Sequence, residues 1–166
     1  MSVSALGSAL DSETSTLFNP AFCALLLHKA CAGYEEKVSE PMPLTFAFII
    51  LPNALHKPTR DALPSTTASS MWGWQRANPV LLMDFANRVS TFRPVTASAI
   101  TFGLRHSVLR GSLGSISAGA IRRRPRTLHP TEDWNACLKT AHFLGRWFGG
   151  TESDEATALA RWGVRP

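Results

Sequence analysis

No uninterrupted apolar stretch in this 166-residue chain is long enough to cross a bilayer. The longest, Leu44 to Leu51, has eight residues, where a spanning helix takes about 18 to 20. The N-terminus also lacks the basic start and hydrophobic region of an export leader. The expectation is a soluble, cytoplasmic protein with no membrane partner. Cysteine is scarce and odd in number, and Cys23, Cys31 and Cys137 stand in apolar, helix-like surroundings. That argues against a disulfide framework and fits buried, reduced thiols. Acidic residues are missing where basic ones collect. Residues 92–148 carry nine bases against Glu132 and Asp133 alone, whereas residues 1–40 carry two bases and five acids. An acidic partner would therefore dock on the second half, although thirteen of the seventeen bases are arginine and a GC-rich genome enriches arginine without any such purpose.

Motifs that carry chemistry are also lacking. Gly114 and Gly119 have the glycine spacing of a phosphate-binding loop, but Ala120 and Ile121 stand where lysine and a hydroxyl residue are required. There is no G-x-S-x-G elbow and no H-E-x-x-H pair. Cys23, His28 and Cys31 match no standard metal-ligand spacing, and the five histidines are scattered without an apparent carboxylate or nucleophile partner. No catalytic residue, metal or cofactor is expected.

The chain is organised around residues 41–64. Eight apolar or near-apolar residues at its centre need cover on all sides, and prolines at 41, 43, 52, 58 and 64 box the run into short pieces. Leu44–Leu51 fits either a buried strand or a buried helix. Residues 1–16 read as a flexible N-terminal arm and 17–166 as a single helical domain. Asn19-Pro20 has the form of an N-cap followed by a first-turn proline, opening a helix that Gly33 can end. A short helix is expected around Met71, Trp72 and Trp74. Asn78-Pro79 opens another, with Leu82, Phe85, Ala86 and Val89 in one stripe. A further helix follows Arg93-Pro94, with Gly111 as its stop. Thr131 opens the clearest helix, which Gly149-Gly150 ends, and Thr151 with Asp154 resembles a capping box for a last helix through Ala160. The Gly- and Ser-rich stretch near 112–121 reads as at most one small hairpin.

Two polar features stand out. The corner His56, Lys57, Arg60 and Asp61 either satisfies helix ends and neighbouring charges or is a partner-docking point, with Trp72 and Trp74 nearby as a packing or docking surface. The run Arg122, Arg123, Arg124, Pro125, Arg126 is either a solvated loop or a contact for nucleic-acid phosphates or an acidic partner.

A series of segments then carries a resemblance: Asn19-Pro20-Ala21-Phe22, the apolar run into Leu51-Pro52, Leu55-His56-Lys57 with Thr59-Arg60 and Leu63-Pro64, Asn78-Pro79, Phe102-Gly103-Leu104, Leu144 to Phe148, and Gly163 to Pro166. In this order they resemble the short middle component of bacterial three-component ABC systems, a family that includes the small subunit of Lamassu-type antiphage defence. The resemblance implies a mainly helical fold, with a winged-helix derivative as one form of it, and it tips Leu44–Leu51 towards a short buried helix ended by Pro52. It also implies a non-enzymatic accessory subunit joining an SMC-like ABC ATPase to a nuclease-type effector, with DNA contact mostly through the complex.

The reading is therefore a mainly α, compact helical domain of about six or seven helices. Its leading function is that of a bridging and regulatory subunit of an SMC-like defence ATPase complex. The alternative is a stand-alone DNA-binding, winged-helix-like regulator that uses the basic loop.

Overall fold

A computed structural model describes residues 18–121 and 131–164. The arm expected over residues 1–16 and the run Arg122–Arg126 lie outside the described residues. The order is α1 (Pro20–Val38), β1 (Met42–Pro43), α2 (Leu44–Ala54), α3 (Lys57–Ala62), α4 (Met71–Ala77), α5 (Pro79–Leu82), α6 (Phe85–Arg105), β2 (Leu109–Ser112), β3 (Ser115–Ala118), α7 (Glu132–Gly149) and α8 (Glu155–Arg161). The fold is mainly α, as the sequence implied, with eight helices among the described residues and a three-stranded antiparallel sheet in place of a lone hairpin.

Asn19 caps α1 through its Oδ1, which accepts the Ala21 N–H at 2.8 Å, and Pro20 occupies the first turn. Gly33 does not end this helix. The chain stays helical to Val38, and Ser39, at φ 58°, closes it by donating its N–H to Glu35 O at 2.9 Å. Gly33 serves a different need, the close approach of α7. A Cβ on Gly33 would lie 2.2 Å from the His142 carbonyl oxygen, and one on Gly145 would lie 1.9 Å from that of Ala30. The two longest-range helices therefore touch backbone to backbone, which only the missing Cβ atoms permit.

The apolar run Leu44–Leu51 is helical, and Phe46, Ala47, Ile49, Ile50 and Leu51 are buried. Pro52 does not end α2 as expected but sits in its last turn. There Asn53 Nδ2 donates to Ile49 O at 3.0 Å, and the Leu55 N–H reaches Leu51 O at 3.1 Å. Pro94 likewise fails to separate two helices, since α6 runs unbroken for 21 residues. An in-helix proline costs about 3 kcal/mol. Here Phe85 and Ala99, on either side of it and both fully buried, hold the helix to one core surface. The expected stripe Leu82–Val89 is instead split between α5 and α6, which Arg88 ties together by donating its Nη2 to Leu81 O at 3.1 Å. Helix α6 stops at Arg105, and Gly111 lies in β2 rather than at a helix end.

The hairpin is β2 and β3, with Ser112 opposite Ser115, a few residues earlier than expected. A third strand that the sequence did not announce, β1, pairs with β3 through Met42↔Ile116. It is only two residues long, with Pro41 before it and Pro43 inside it, too short for any period-2 signal. The sheet is fastened to α1: the Ala118 N–H donates to Glu35 Oε1 at 3.0 Å and His28 Nε2 to Gly119 O at 2.9 Å. The Cys31 thiol reaches Ile116 O at 3.7 Å.

At the other end, Thr131 Oγ1 accepts the Trp134 N–H at 3.1 Å and opens α7 as expected. The cap of α8 is Asp154 rather than Thr151. Asp154 Oδ1 accepts the Thr157 N–H at 2.9 Å, which also holds its carboxyl below the usual range. Trp162 closes the core beside Phe85, with ring centroids 4.9 Å apart, and beside Trp74 at 6.1 Å.

Overpacking a filled site costs about 1 to 3 kcal/mol and sometimes more. Gly145→Ala, which meets backbone rather than a yielding side chain, is expected to lie at or above the top of that range. Chemical denaturation checks this, and a midpoint equal to the parent's would remove the close approach as a constraint.

Candidate partner-docking site

Helix α2 ends at the polar corner, where His56 caps α3. Its Nδ1 accepts the Thr59 N–H at 3.3 Å and stands 2.7 Å from Thr59 Oγ1. Thr59 is buried, and its hydroxyl also receives Arg88 Nη1 at 3.5 Å. Arg60 points inward. Its side chain is 6% exposed, donates through Nη1 to Ala54 O at 3.0 Å, and pairs with Asp133 at the start of α7. Lys57 and Asp61 form an exposed i,i+4 pair at 2.8 Å. Burial, and then the guanidinium groups of Arg88 and Arg60, push the His56 pKa down. Most of the corner thus ties α2, α3, α6 and α7 together, and Lys57 and Asp61 are its outward part.

The two tryptophans of α4 separate. Trp72 is 47% exposed, with the Arg161 guanidinium 5.4 Å from its ring centroid. Trp74 is a core residue rather than a surface one. It is 8% exposed, and its Nε1 donates to Ala62 O at 2.7 Å. The four arginines at 122, 123, 124 and 126 lie outside the described residues.

A feature that sequence reasoning missed is an open cleft of about 530 Å³ between α2, α6 and α8. Phe48, Ala86, Val89, Leu159 and Val164 supply apolar walls, and Arg93 is the charged residue that lines it. Phe48 is left half-buried, as are Leu44 and Thr45 at the start of the apolar run, so the cover that Leu44–Leu51 requires is incomplete at the cleft. Thr45 Oγ1 donates to Glu155 Oε1 at its edge and ties α2 to α8. The two in-helix prolines bear on this cleft through the residues they leave without a helix hydrogen bond. Pro52 and Pro94 have no N–H to give to the carbonyls four residues earlier, Phe48 and Ser90, and both of those residues line the cleft. The signal was present in sequence as two prolines within helical patterns, but without the packing it read as two helix boundaries.

Histidine chemistry is similarly rearranged. His142 Nε2 is 3.0 Å from Glu36 Oε1, a carboxylate partner 106 residues away that spacing could not reveal. The His142 hydrogen bond, followed by the nearby charges of His142, Arg146 and Lys29, lowers the Glu36 pKa. Burial pushes the thiols of Cys23 and Cys31 up to about 12, which makes them poor nucleophiles. Among the described residues, no three His, Cys, Asp or Glu side chains converge to hold a metal. No described helix is long and apolar enough to cross a membrane.

With this arrangement of capped helices, a clasped hairpin and an apolar cleft, the family model for Middle Component 3 of ABC-three component (ABC-3C) systems matches residues 7–166. The chain belongs to that family. No curated protein and no solved structure matches it. As a middle component of a multi-subunit system, the Middle Component 3 chain has an accessory role and works with partners.

Because the folded-state pKa of His56 is depressed, its capping contribution is complete above the unfolded value of about 6.5. It is lost as pH falls through the lower folded value. His56→Asn, which keeps an acceptor at the cap without titrating, is expected to flatten the fall of stability on that acid limb. Denaturation midpoints measured across the limb check this, and an unchanged slope would show that His56 does not contribute.

Proposed function

We propose that this Middle Component 3 chain is a non-catalytic adaptor that bridges an SMC-like ABC ATPase to a nuclease-type effector in Lamassu-type antiphage defence, and helps to regulate that effector. The observation that carries the adaptor reading is the cleft between α2, α6 and α8, an apolar hollow with one guanidinium on its wall in a chain whose family works in assemblies. Concave apolar surface left open to water is the form of a docking site awaiting its partner. Two exposed apolar side chains, Val80 on α5 at 76% and Met83 at its C-terminal end at 82%, extend the apolar surface offered just before α6. Support for the non-catalytic part comes from Cys23 and Cys31, whose burial pushes both thiols up to about 12 and makes them poor nucleophiles. The exposed Lys57, Asp61 and Trp72 are a second surface for the other partner. The stand-alone DNA-binding reading rests on Arg122–Arg126, outside the described residues, and draws nothing from the cleft.

The test is co-expression with the other components of the same system, followed by affinity recovery. The wild-type chain is expected to bring down the ATPase component. Ala86→Glu and Arg93→Glu, both at exposed positions of α6 on the cleft, are expected to weaken that recovery by about tenfold or more, equivalent to about 1.4 kcal/mol, with an unchanged melting curve. An ATPase component never recovered with the wild-type chain would sink the bridging reading. Recovery indifferent to both substitutions would remove the cleft from it.

A further inference from the structure

The loop between α3 and α4 is polar, yet it is held at both ends by core tryptophans. Trp74 Nε1 donates to Ala62 O at 2.7 Å, and Trp147 Nε1 donates to Ser69 O at 2.7 Å. The two indoles are themselves in contact, with centroids 5.8 Å apart and planes at 70°. Ser70 then caps α4 by accepting the Gly73 N–H at 3.2 Å. A segment this firmly anchored presents its side chains in a fixed place without binding anything. What it presents is a run of three hydroxyls, Ser65, Thr66 and Thr67, which line a pocket of about 350 Å³.

The facing wall is α7. His142, Phe143 and Arg146 complete the lining, so the pocket holds three hydroxyls, an imidazole, a guanidinium and one apolar ring, and no carboxylate. His142 and Arg146 are four residues apart and so share one helix face. Among the described residues Arg146 forms no ion pair. Glu36 on α1 is engaged by His142 Nε2 at 3.0 Å. Arg146 and Lys29 are also among the charges that lower its pKa, so the local balance around the α1–α7 face is cationic. The stem of Arg146 is positioned by the same close helix approach, its Cγ lying 3.2 Å from where a Cβ on Gly33 would be.

We propose that this pocket binds a phosphoryl group, with the Arg146 guanidinium providing the planar fork and Ser65, Thr66 and Thr67 donating from the opposite side. Hydroxyl donors and a guanidinium converging without a carboxylate match the several acceptor oxygens of phosphate. They do not suit a cation or an apolar ligand. The pocket lies on the α7 face and shares no lining residue with the cleft between α2, α6 and α8, so the inference stands independently of the docking reading. The phosphoryl group has two sources with the same chemistry, a free phosphate or the phosphodiester of a nucleic acid, and the experiment separates them.

Calorimetric titration of the full chain at fixed ionic strength, once with inorganic phosphate and once with a short oligothymidylate, reads this directly. Arg146→Gln keeps the stem and removes the fork, and is expected to weaken binding about tenfold or more. Thr66→Ala, at an exposed loop position, is expected to weaken it by a smaller factor, and serves as the test if the Arg146 variant melts early. Saturation by inorganic phosphate that both variants weaken assigns a free phosphate. Saturation by the oligonucleotide alone, weakened in the same way, assigns a phosphodiester. No heat with either probe, or affinity unchanged by both substitutions, overturns the site.

Discussion

The backbone contact between α1 and α7 is the constraint on which the rest of the molecule depends. Gly33 and Gly145 let each helix rest against a carbonyl of the other. That approach brings Glu36 within hydrogen-bonding distance of His142. It also sets Phe22 against Trp134, with ring centroids 3.8 Å apart. With α1 fixed in this way, its opposite flank carries the sheet through Glu35, His28 and Cys31. One helix therefore has α7 on one side and the hairpin on another, which explains why it is apolar nearly all round.

Around that pair the remaining polar groups are mostly used to fix geometry. The indole N–H groups of Trp74 and Trp147 fasten backbone carbonyls rather than reaching solvent, and Arg60 and Arg88 bond carbonyls at the ends of α2 and α5. The prolines in α2 and α6 each withhold a helix hydrogen bond from a residue on the same cleft. Interior proline is costly in a helix, so two of them converging on one hollow single out this surface from the rest of the fold.

Local signals were legible in the sequence wherever the chemistry is local. Asn19 and Thr131 cap the helices they were expected to cap, and the mainly α architecture was indicated by helical signals together with what the family resemblance implied. The failures have a common physical origin, tertiary packing overriding a local preference. Gly33 and Gly111 carry the usual stop signal, but one is needed for a helix contact and the other lies in a strand. Pro52 and Pro94 are the usual helix breakers, and burial on either side carries the helices through them. The candidate sites fared similarly. The corner was visible as a charged break after an apolar run, whereas the inward turn of Arg60 needed Asp133 from a distant helix to reveal it. The cleft, the pair His142–Glu36 and the pocket at Ser65–Thr67 join segments far apart in the chain, beyond the reach of any spacing rule.

The separation of α1 and α7 along the chain also governs when the protein can form. Residues 20–38 can meet α2, α6 and the hairpin first, but the flank of α1 that faces α7 has no cover until residues 132–149 arrive, so on a translating ribosome that flank waits uncovered. Topologies that join distant segments are slow to organise and prone to sticking while they wait. For a chain that works inside an assembly, the interval gives neighbouring subunits or a chaperone a reason to be present early, before the polypeptide has left the tunnel.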